Sequence, residues 1–198
     1  MKIYDISQEV FSSQLYPGDP APERRTLSSI EQGDVYNLTA FSICAHNGTH
    51  VDAPSHFLRE GQSIDQIPLN ATVGKAFVIA QTGAVTAESA GDILAKAEQA
   101  DREAGKRILI KGDAVVTPEA AEVFANADLL LLGTESQSVG PIDAPMAVHL
   151  TLLTASVVLL EGIRLDAVPE GVYFLCAAPL SLQGSDGAPC RAILIDQF

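Results

Sequence analysis

The chain has 198 residues, of which 47% are hydrophobic, and it carries a formal net charge of −13 at pH 7. This length and apolar content predict one globular domain spanning residues 1–198 and argue against a disordered chain. The strong negative charge would repel phosphate backbones, which argues against nucleic acid as a partner.

The three cysteines, Cys44, Cys176 and Cys190, form no CxxC pair, so we expect small buried thiols rather than a disulfide framework. The longest mostly apolar run, residues 150–163, contains Thr, Ser and Glu and is shorter than the about 20 residues of a membrane-spanning helix. The N-terminus lacks the long apolar stretch of a secretory signal peptide. Together these features predict a cytoplasmic protein with no membrane segment.

Taken in chain order, the alternating and apolar segments predict an α/β fold. Strands are expected at 2–7, 36–44, 75–80, 107–111, 128–133, 157–161, 172–178 and 190–196, and a proline-rich loop at 16–23. Helices are expected at 87–104, 117–125 and 146–155. Thr117 and Pro118 suit the first turn of the second helix. Apolar strands that alternate with helices predict a mixed, partly parallel sheet, flanked by helices and covered on both faces.

Residues 45–57 read AHNGTHVDAPSHF and contain three of the chain's four histidines. Gly48 and Pro54 disfavour a helix here, and Gly48 would let the backbone turn close to a metal. Side chains alternate along an extended chain, so four even-numbered polar residues would share one side. These residues are His46, His50, Asp52 and His56. The alternative is an accidental cluster of polar loop residues.

Imidazole and carboxylate groups in this pattern suit zinc, manganese or iron(II). Three protein ligands, two imidazoles and a carboxylate, would leave room for a reactive water, and a carboxylate can bridge two ions. The fourth histidine, His149, precedes a mostly apolar strand that ends at Glu161. A buried carboxylate at that point would need a cation or hydrogen bonds, whereas the alternative is a glutamate exposed to water.

The segment HNGTHVDAPSHF resembles the HxGTHxDxPxH signature of the metal-dependent cyclase-type hydrolases, a family that includes bacterial kynurenine formamidase. Three further segments resemble the family. They are YPGDP at 16–20, MAVHLTLLTASVVLLEGIRL at 146–165 and PLSLQGSDGAPCRAIL at 179–194. The resemblance covers nearly the whole chain and implies the cyclase-like swivelling β/α/β fold.

The resemblance also implies a role for each polar residue of the motif. His46, His50 and Asp52 would hold one metal ion, while Asp52 and Glu161 would bridge to a second ion that His149 also binds. The ions would be two Zn²⁺, with Mn²⁺ as the alternative. His56 would act as the acid/base rather than as a permanent ligand. Tyr16 stands where the formamidases carry a tryptophan at the substrate pocket, which changes the edge of that pocket.

We therefore expect hydrolysis of an amide-like C–N bond in a small molecule, similar to the arylformamidase step of tryptophan catabolism. A metal-activated water would attack the carbonyl carbon, and His56 would deliver a proton to the leaving nitrogen. Alternative substrates are a cyclic amide of the isatin type, a cyclic imide, a lactone or an ester. An alternative of another class is a metal- or small-molecule-binding protein without turnover. By analogy with the family, the chain would form a homodimer or homotetramer.

The remaining motifs are less specific. Glu135 and Ser136 in the segment 133–139 could line a pocket, although a hydrogen-bonded turn is the simpler expectation. The glycine-rich residues 184–189 lack a following helix, so we expect no phosphate site there. Asp19 is expected to form a turn.

Overall fold

The computed structural model describes residues 1–196. Its strands are Lys2–Asp5 (β1), Glu23–Ser28 (β2), Leu38–Ser42 (β3), His50–Asp52 (β4), Val73–Ala80 (β5), Gly83–Val85 (β6), Arg107–Lys111 (β7), Ala114–Val116 (β8), Leu131–Thr134 (β9), Val158–Glu161 (β10), Gly171–Cys176 (β11), Gly187–Pro189 (β12) and Ile193–Asp196 (β13). Its α-helices are Leu69–Thr72 (α1), Ala87–Ala100 (α2), Pro118–Ala125 (α3) and Met146–Thr154 (α4). Every expected strand and helix is present, and the strands β2, β4, β6, β8 and β12 and the four-residue helix α1 are additional.

One mixed sheet organises the fold. Its strand order is β1-β13-β11-β5-β7-β9-β10-β4-β12. The central strands β5, β7, β9 and β10 run parallel, and the strands on either side of them pair antiparallel. The helices α2, α3 and α4 lie in the connections between successive central strands. The prediction of a mixed, partly parallel α/β sheet is therefore confirmed.

The three longer helices pack on one face of this sheet. Their buried side chains join Ile108 of β7 and Leu159 of β10 in a single apolar cluster. The predicted start of α3 is confirmed, because Pro118 opens the helix and the Thr117 hydroxyl accepts a hydrogen bond from the Ala120 N–H at 3.3 Å. This capping satisfies an N–H that the helix itself leaves unpaired.

The opposite face of the sheet is covered mainly by the sheet itself. Leu109 and Leu160 point to this face and pack with Val51 of β4, Leu175 of β11 and Leu194 of β13. Since β4 and β13 lie near opposite ends of the strand order, the sheet must curl to bring them together. Within residues 1–196, only the four-residue α1 adds a helix to this side. Both faces are thus covered, one by helices and the other by the curled ends of the sheet.

The hairpin of β2 and β3 lies outside the main sheet. It follows the predicted loop at 16–23 and exposes large apolar side chains, including Leu27, Tyr36 and Phe41. The sequence analysis missed β2 because its residues, ERRTLS, are mostly polar. The pattern is polar because most of this strand faces solvent.

The state of the cysteines and the length of the helices can be compared with the sequence expectations. All three cysteines are free thiols, and each is only partly buried rather than buried as expected. Burial nevertheless raises the pKa of the Cys190 thiol to about 12. In the described part of the chain, every helix falls short of the length and apolar character needed to cross a membrane.

A tight turn after β10 joins the end of that strand to the histidine stretch. Gly162 has φ of +68°, and a Cβ at this position would clash with the Gly48 carbonyl oxygen. The Gly162 carbonyl accepts hydrogen bonds from the Thr49 hydroxyl at 2.7 Å and from Gln8 Nε2 at 2.8 Å. This close approach fixes Glu161 relative to residues 45–57.

We predict that Gly162→Ala destabilises the protein more than Gly83→Ala does. Gly83 has φ of +70°, and a Cβ added there would meet no neighbouring atom within 4 Å. Both alanines would bear the left-handed backbone cost of about 1–2 kcal/mol, and only Gly162→Ala adds the clash, which typically costs roughly 1–3 kcal/mol more. Urea unfolding measures the difference, and equal losses in the two variants would contradict the crowding at Gly162.

Candidate metal centre and active site

Two neighbouring strands and one helix bring the predicted polar residues together. His50 and Asp52 are two residues apart on β4 and therefore share a face, and Glu161 of β10 pairs with His50 across the ladder. His149 comes from α4. His50 Nε2 lies 3.4 Å from Asp52 Oδ1 and 3.4 Å from Glu161 Oε2, while His149 Nε2 lies 3.3 Å from Glu161 Oε1. Residues separated by about 100 positions thus meet in one cluster, as the sequence predicted.

His46 and His56 reach the cluster by turns and not by an extended strand. His46 precedes a turn at Gly48, which has φ of +63° as the glycine suggested. His56 ends a 3-10 helix, Pro54–His56. The expected extended run is therefore wrong outside β4, because Gly48 and Pro54 bend the chain on either side of it. The four even-numbered residues nevertheless lie together, because these turns bring His46 and His56 back beside His50 and Asp52.

Backbone carbonyls fix the orientation of the two buried histidines. His50 Nδ1 lies 2.9 Å from the Gly48 carbonyl oxygen, and His149 Nδ1 lies 2.9 Å from the Pro145 carbonyl oxygen. A carbonyl oxygen only accepts, so each Nδ1 must carry the proton. When either ring is neutral, its Nε2 keeps a lone pair that faces the carboxylates of Asp52 and Glu161. This arrangement is typical of histidines that bind metals.

The donor atoms fit divalent metal ions. In each of two groups the candidate ligand atoms lie within 4.8 Å of one another, and Asp52 belongs to both groups. The groups are His46, His50 and Asp52, and Asp52, His149 and Glu161. His50 Nε2 and Asp52 Oδ2 are buried without a hydrogen-bond partner in the described residues. Unpaired buried polar atoms are costly, and a cation between them would remove that cost.

The carboxylates of the cluster are buried and ionised. Asp52 is fully buried and Glu161 is 3% exposed, so the alternative of an exposed strand-end glutamate is wrong. Burial acts to raise the pKa of Asp52, but His46 and His50 hold that pKa well below its usual value. Burial and the Asp52 charge act to raise the pKa of Glu161, but His149 and His50 hold it below its usual value. The centre therefore carries negative charge that a cation would balance.

The pKa values of the neighbouring histidines shift in the opposite direction, upwards. Burial alone lowers the pKa of His50, but the adjacent Asp52 and Glu161 carboxylates outweigh burial and raise it to about 10. The same balance between burial and a neighbouring carboxylate raises the pKa of His46 beside Asp52 and that of His149 beside Glu161. In the metal-free protein, protons on these rings therefore take the place of a metal ion.

A cavity of about 210 Å³ opens onto the cluster. Its lining includes Tyr16 and His56, as expected, together with Asp19, Phe57, Gln137 and Ser138. The Tyr16 hydroxyl donates to the Ile142 carbonyl oxygen at 2.6 Å, which leaves the ring rather than the hydroxyl as its contact surface. Because the cavity adjoins the candidate ligands, a small molecule bound there would lie next to the metal centre.

The segment 133–139 lines two cavities. The Glu135 carboxylate accepts hydrogen bonds from the Gly112 and Leu165 N–H groups. Glu135 and Ser136 line a cavity of about 420 Å³, as the sequence indicated they could. Gln137 and Ser138, which the sequence analysis did not name, line the cavity next to the cluster. The predicted turn at Asp19 is confirmed by a hydrogen bond from its N–H to the Tyr16 carbonyl oxygen, and its side chain also reaches the cavity.

Asp186 is a further residue that the sequence analysis missed. It lies in the glycine-rich loop at 184–189, and its Oδ2 is 3.0 Å from His46 Nε2 and 3.2 Å from His56 Nδ1. The resemblance of the segment 179–194 to the family was the available signal. Nothing in the local sequence connects Asp186 to histidines 130 or more positions away.

Comparison with known proteins places the chain in a family. The Cyclase family model matches residues 4–141, a range that includes the whole histidine stretch. The chain belongs to this family. A kynurenine formamidase of Salinibacter ruber is 36% identical, and the match spans 99% of this chain and 98% of that protein. The family-level resemblance inferred from the motif is therefore confirmed.

Solved structures agree with this assignment. A protein described as a potential metal-dependent hydrolase with cyclase activity has a TM-score of 0.82 and 28% identity, with 100% of this chain and 98% of that chain covered. An isatin hydrolase bound to thioisatinate has a TM-score of 0.83 at 19% identity, with 98% and 91% covered. The second likeness shows the shared fold, which is the predicted cyclase-like α/β architecture.

We predict that His50 makes the metal-free protein less stable at high pH. Because its pKa is raised from an ordinary value of about 6.5 to about 10 in the folded state, its stabilising contribution is complete below about pH 6.5 and is lost as the pH rises through about 10. The free energy of unfolding of metal-free wild type should exceed that of His50→Gln at pH 6, and the difference should shrink by pH 10. A difference that stays constant over this range would contradict the raised pKa.

Proposed function

We propose that the protein is a metal-dependent hydrolase that cleaves the C–N bond of an aryl formamide, in the manner of a kynurenine formamidase. One observation carries the proposal: two buried carboxylates and two oriented imidazoles converge beside a cavity that His56 also lines. The 36% identity to a kynurenine formamidase over nearly the whole chain supports the substrate class.

The proposed metal ligands follow from the donor groups of the cluster. His46, His50 and Asp52 would hold one divalent ion, and Asp52, Glu161 and His149 would hold a second. Nitrogen and carboxylate ligands of this kind support Zn²⁺, with Mn²⁺ as the alternative. When bound, the ions make a water molecule acidic enough to attack near neutral pH and polarise the substrate carbonyl.

Contacts within the chain hold the side chains of Glu161 and His149 in fixed orientations. The Glu161 carboxylate accepts a hydrogen bond from the Val139 N–H at 2.7 Å, which holds one of its oxygens in place. Phe57 stacks on the His149 ring with centroids 4.7 Å apart, so this ring is held on its face as well as through Nδ1. Ligands held in this way present their donor atoms without a large loss of conformational freedom on binding.

His56 is the proposed acid/base. Its side chain is 27% exposed, more than those of the other three histidines, and it borders the cavity. Within the described residues the one hydrogen bond of its ring runs from Nδ1 to Asp186, which leaves Nε2 able to exchange a proton with substrate. An imidazole placed in this way can give a proton to a leaving nitrogen.

Tyr16 is the proposed contact for the aromatic part of the substrate. Its ring borders the cavity, and its hydroxyl is already used by the Ile142 carbonyl. A second candidate substrate is a cyclic amide of the isatin type, because Tyr16 stands where the formamidases carry a tryptophan and changes the edge of the cavity. A cyclic imide, lactone or ester belongs to the same class of alternatives.

We further propose that the protein is cytoplasmic and forms a homodimer or homotetramer. The three free thiols support a reducing compartment. The apolar side chains exposed on the β2–β3 hairpin support association with a second copy, since a two-stranded ribbon is only marginally stable alone. Light scattering on the purified protein measures the oligomeric state.

The substrate assignment is tested by assays on metal-loaded wild type and after chelation. We expect chelation-sensitive hydrolysis of N-formylkynurenine that exceeds hydrolysis of isatin. Faster isatin hydrolysis would favour the second candidate. Metal binding without turnover of any amide, imide, lactone or ester would contradict the enzyme assignment and favour a binding protein.

The ligand assignment predicts a specific set of losses. His46→Ala, His50→Ala and Asp52→Ala should each lose bound metal and nearly all activity, because each removes a donor atom from the same ion. Asp19→Asn is the matched control, since Asp19 borders the cavity without belonging to either donor group. Metal analysis after dialysis measures the effect, and undiminished metal in all three variants would overturn the assignment.

The acid/base assignment predicts a different result for His56→Ala. This variant should retain its metal and lose about 10²–10⁴-fold in kcat on an aryl formamide. The loss should be smaller on an activated ester, whose departing oxygen needs little protonation. Loss of metal would identify His56 as a ligand, and equal slowing of both substrates would exclude it as the group that protonates the leaving atom.

A further inference from the structure

The Asp186 carboxylate contacts two of the cluster histidines at once. Its Oδ2 lies 3.0 Å from His46 Nε2 and 3.2 Å from His56 Nδ1, and the two imidazole rings are 4.0 Å apart between centroids. We propose that Asp186 is a positioning residue that fixes which nitrogen of each ring carries the proton. This inference rests on the proposed roles of His46 as a ligand and His56 as the acid/base.

For His46, Asp186 selects the nitrogen that is left for a metal. The two ring nitrogens face two different carboxylates, since Nδ1 lies 2.9 Å from Asp52 Oδ1. A carboxylate oxygen can only accept, so a proton or a cation must lie between each nitrogen and its carboxylate. A proton on Nε2 satisfies Asp186 and leaves the Nδ1 lone pair beside Asp52, where a cation would bind. A carboxylate in this outer position raises the basicity of a ligand histidine and holds its ring.

For His56, Asp186 selects the nitrogen that is left for the substrate. A hydrogen bond from Nδ1 to Asp186 keeps Nε2 as the nitrogen that accepts and releases a proton in the cavity. The same contact holds the ring against rotation, and the Phe57 ring supports it edge-on at 4.6 Å between centroids. An acid/base whose second nitrogen is held by a carboxylate is a recurring arrangement in hydrolases.

The backbone, rather than the Asp186 side chain, holds the loop in place. The Asp186 carbonyl accepts from the Ala53 N–H at 2.9 Å, and the Ser185 carbonyl accepts from the Ile64 N–H at 2.8 Å. Asp65 anchors the same loop from outside by accepting from the Gly184 N–H at 3.0 Å. Removal of the Asp186 carboxylate should therefore leave the loop where it is. Asp65 offers a matched control, because it supports the loop without contact to the histidines.

The competing role for Asp186 is that of a metal ligand. His46, His56 and Asp186 form a third group whose donor atoms lie within 4.8 Å of one another. This group differs from the other two in that all three members are only partly buried. The separations of 3.0 and 3.2 Å suit direct hydrogen bonds. A ligand role would appear as a lost equivalent of bound metal, which a positioning role would not produce.

The first measurement is metal affinity, which requires no turnover. Zn²⁺ is titrated against a competing chelator into wild type, Asp186→Ala, Asp186→Asn and Asp65→Ala. We expect Asp186→Ala to bind the same number of ions at saturation with about 10–100-fold weaker affinity. Asp186→Asn should recover part of the loss, because its amide oxygen can still accept from His46, and Asp65→Ala should match wild type.

The second measurement isolates the effect on His56. At saturating metal, Asp186→Ala should lower kcat on an aryl formamide about 10–100-fold with little change in KM. In the His56→Ala background the same substitution should lower kcat no further, because Asp186 acts through His56. Ring ¹⁵N spectra of the metal-free protein should show the His56 proton on Nδ1 in wild type and a shift toward Nε2 in Asp186→Ala.

Specific results would overturn the inference. A lost metal equivalent at saturation would make Asp186 a ligand. A full kcat loss in the His56→Ala background would show that Asp186 does not act through His56, and equal losses in Asp65→Ala would trace the effect to the loop. If wild type hydrolyses no substrate, the proposed function fails, and the affinity and ¹⁵N measurements still decide the role of Asp186.

Discussion

The burial of two carboxylates beside each other is the constraint on which the site depends. Asp52 and Glu161 are almost completely buried, and an ionised carboxylate loses several kcal/mol of hydration when it is buried without a partner. The fold surrounds them with three imidazoles, of which His50 and His149 have Nε2 directed at them. Either protons on these rings or divalent cations can balance the charge, so metal binding and proton release are coupled at this centre.

The curled sheet fixes the relative positions of the charged side chains in the site. β4 carries His50 and Asp52, the neighbouring β10 carries Glu161, and the turn at Gly162 packs against Gly48. On the far side of β4, β12 begins one residue after Asp186. The candidate ligands His50, Asp52 and Glu161 thus come from adjacent strands, and His46, His56 and Asp186 come from the turns that bound those strands. His149 is contributed by the helix α4. Their relative positions follow from the sheet register rather than from flexible loops.

The parts of this site that could be predicted are those that local pattern encodes. The two-residue spacing of His50 and Asp52 indicated a shared face, and the apolar run before Glu161 indicated a buried carboxylate. Resemblance to the family then linked His149 and Glu161 to the histidine stretch, which spacing alone could not do.

Contacts between distant segments were not predictable in this way. Asp186 meets His46 and His56 only through the pairing of β12 with β4, and Gln137 and Ser138 reach the cavity from the loop after β9. The curl of the sheet could not be predicted from the sequence either, because a buried apolar strand has the same pattern whether a helix or another strand covers it. The bends at Gly48 and Pro54 also broke the simple alternation on which the grouping of His46 and His56 was based.

Anomalous diffraction at the zinc edge, from crystals grown with Zn²⁺, is the most direct test of the centre. The account predicts two peaks, one within about 2.0–2.2 Å of a nitrogen of His50 and an oxygen of Asp52, and one within the same distance of a nitrogen of His149 and an oxygen of Glu161. His56 should be uncoordinated. Density confined to the group of His46, His56 and Asp186, or no bound ion near Asp52 and Glu161, would contradict it.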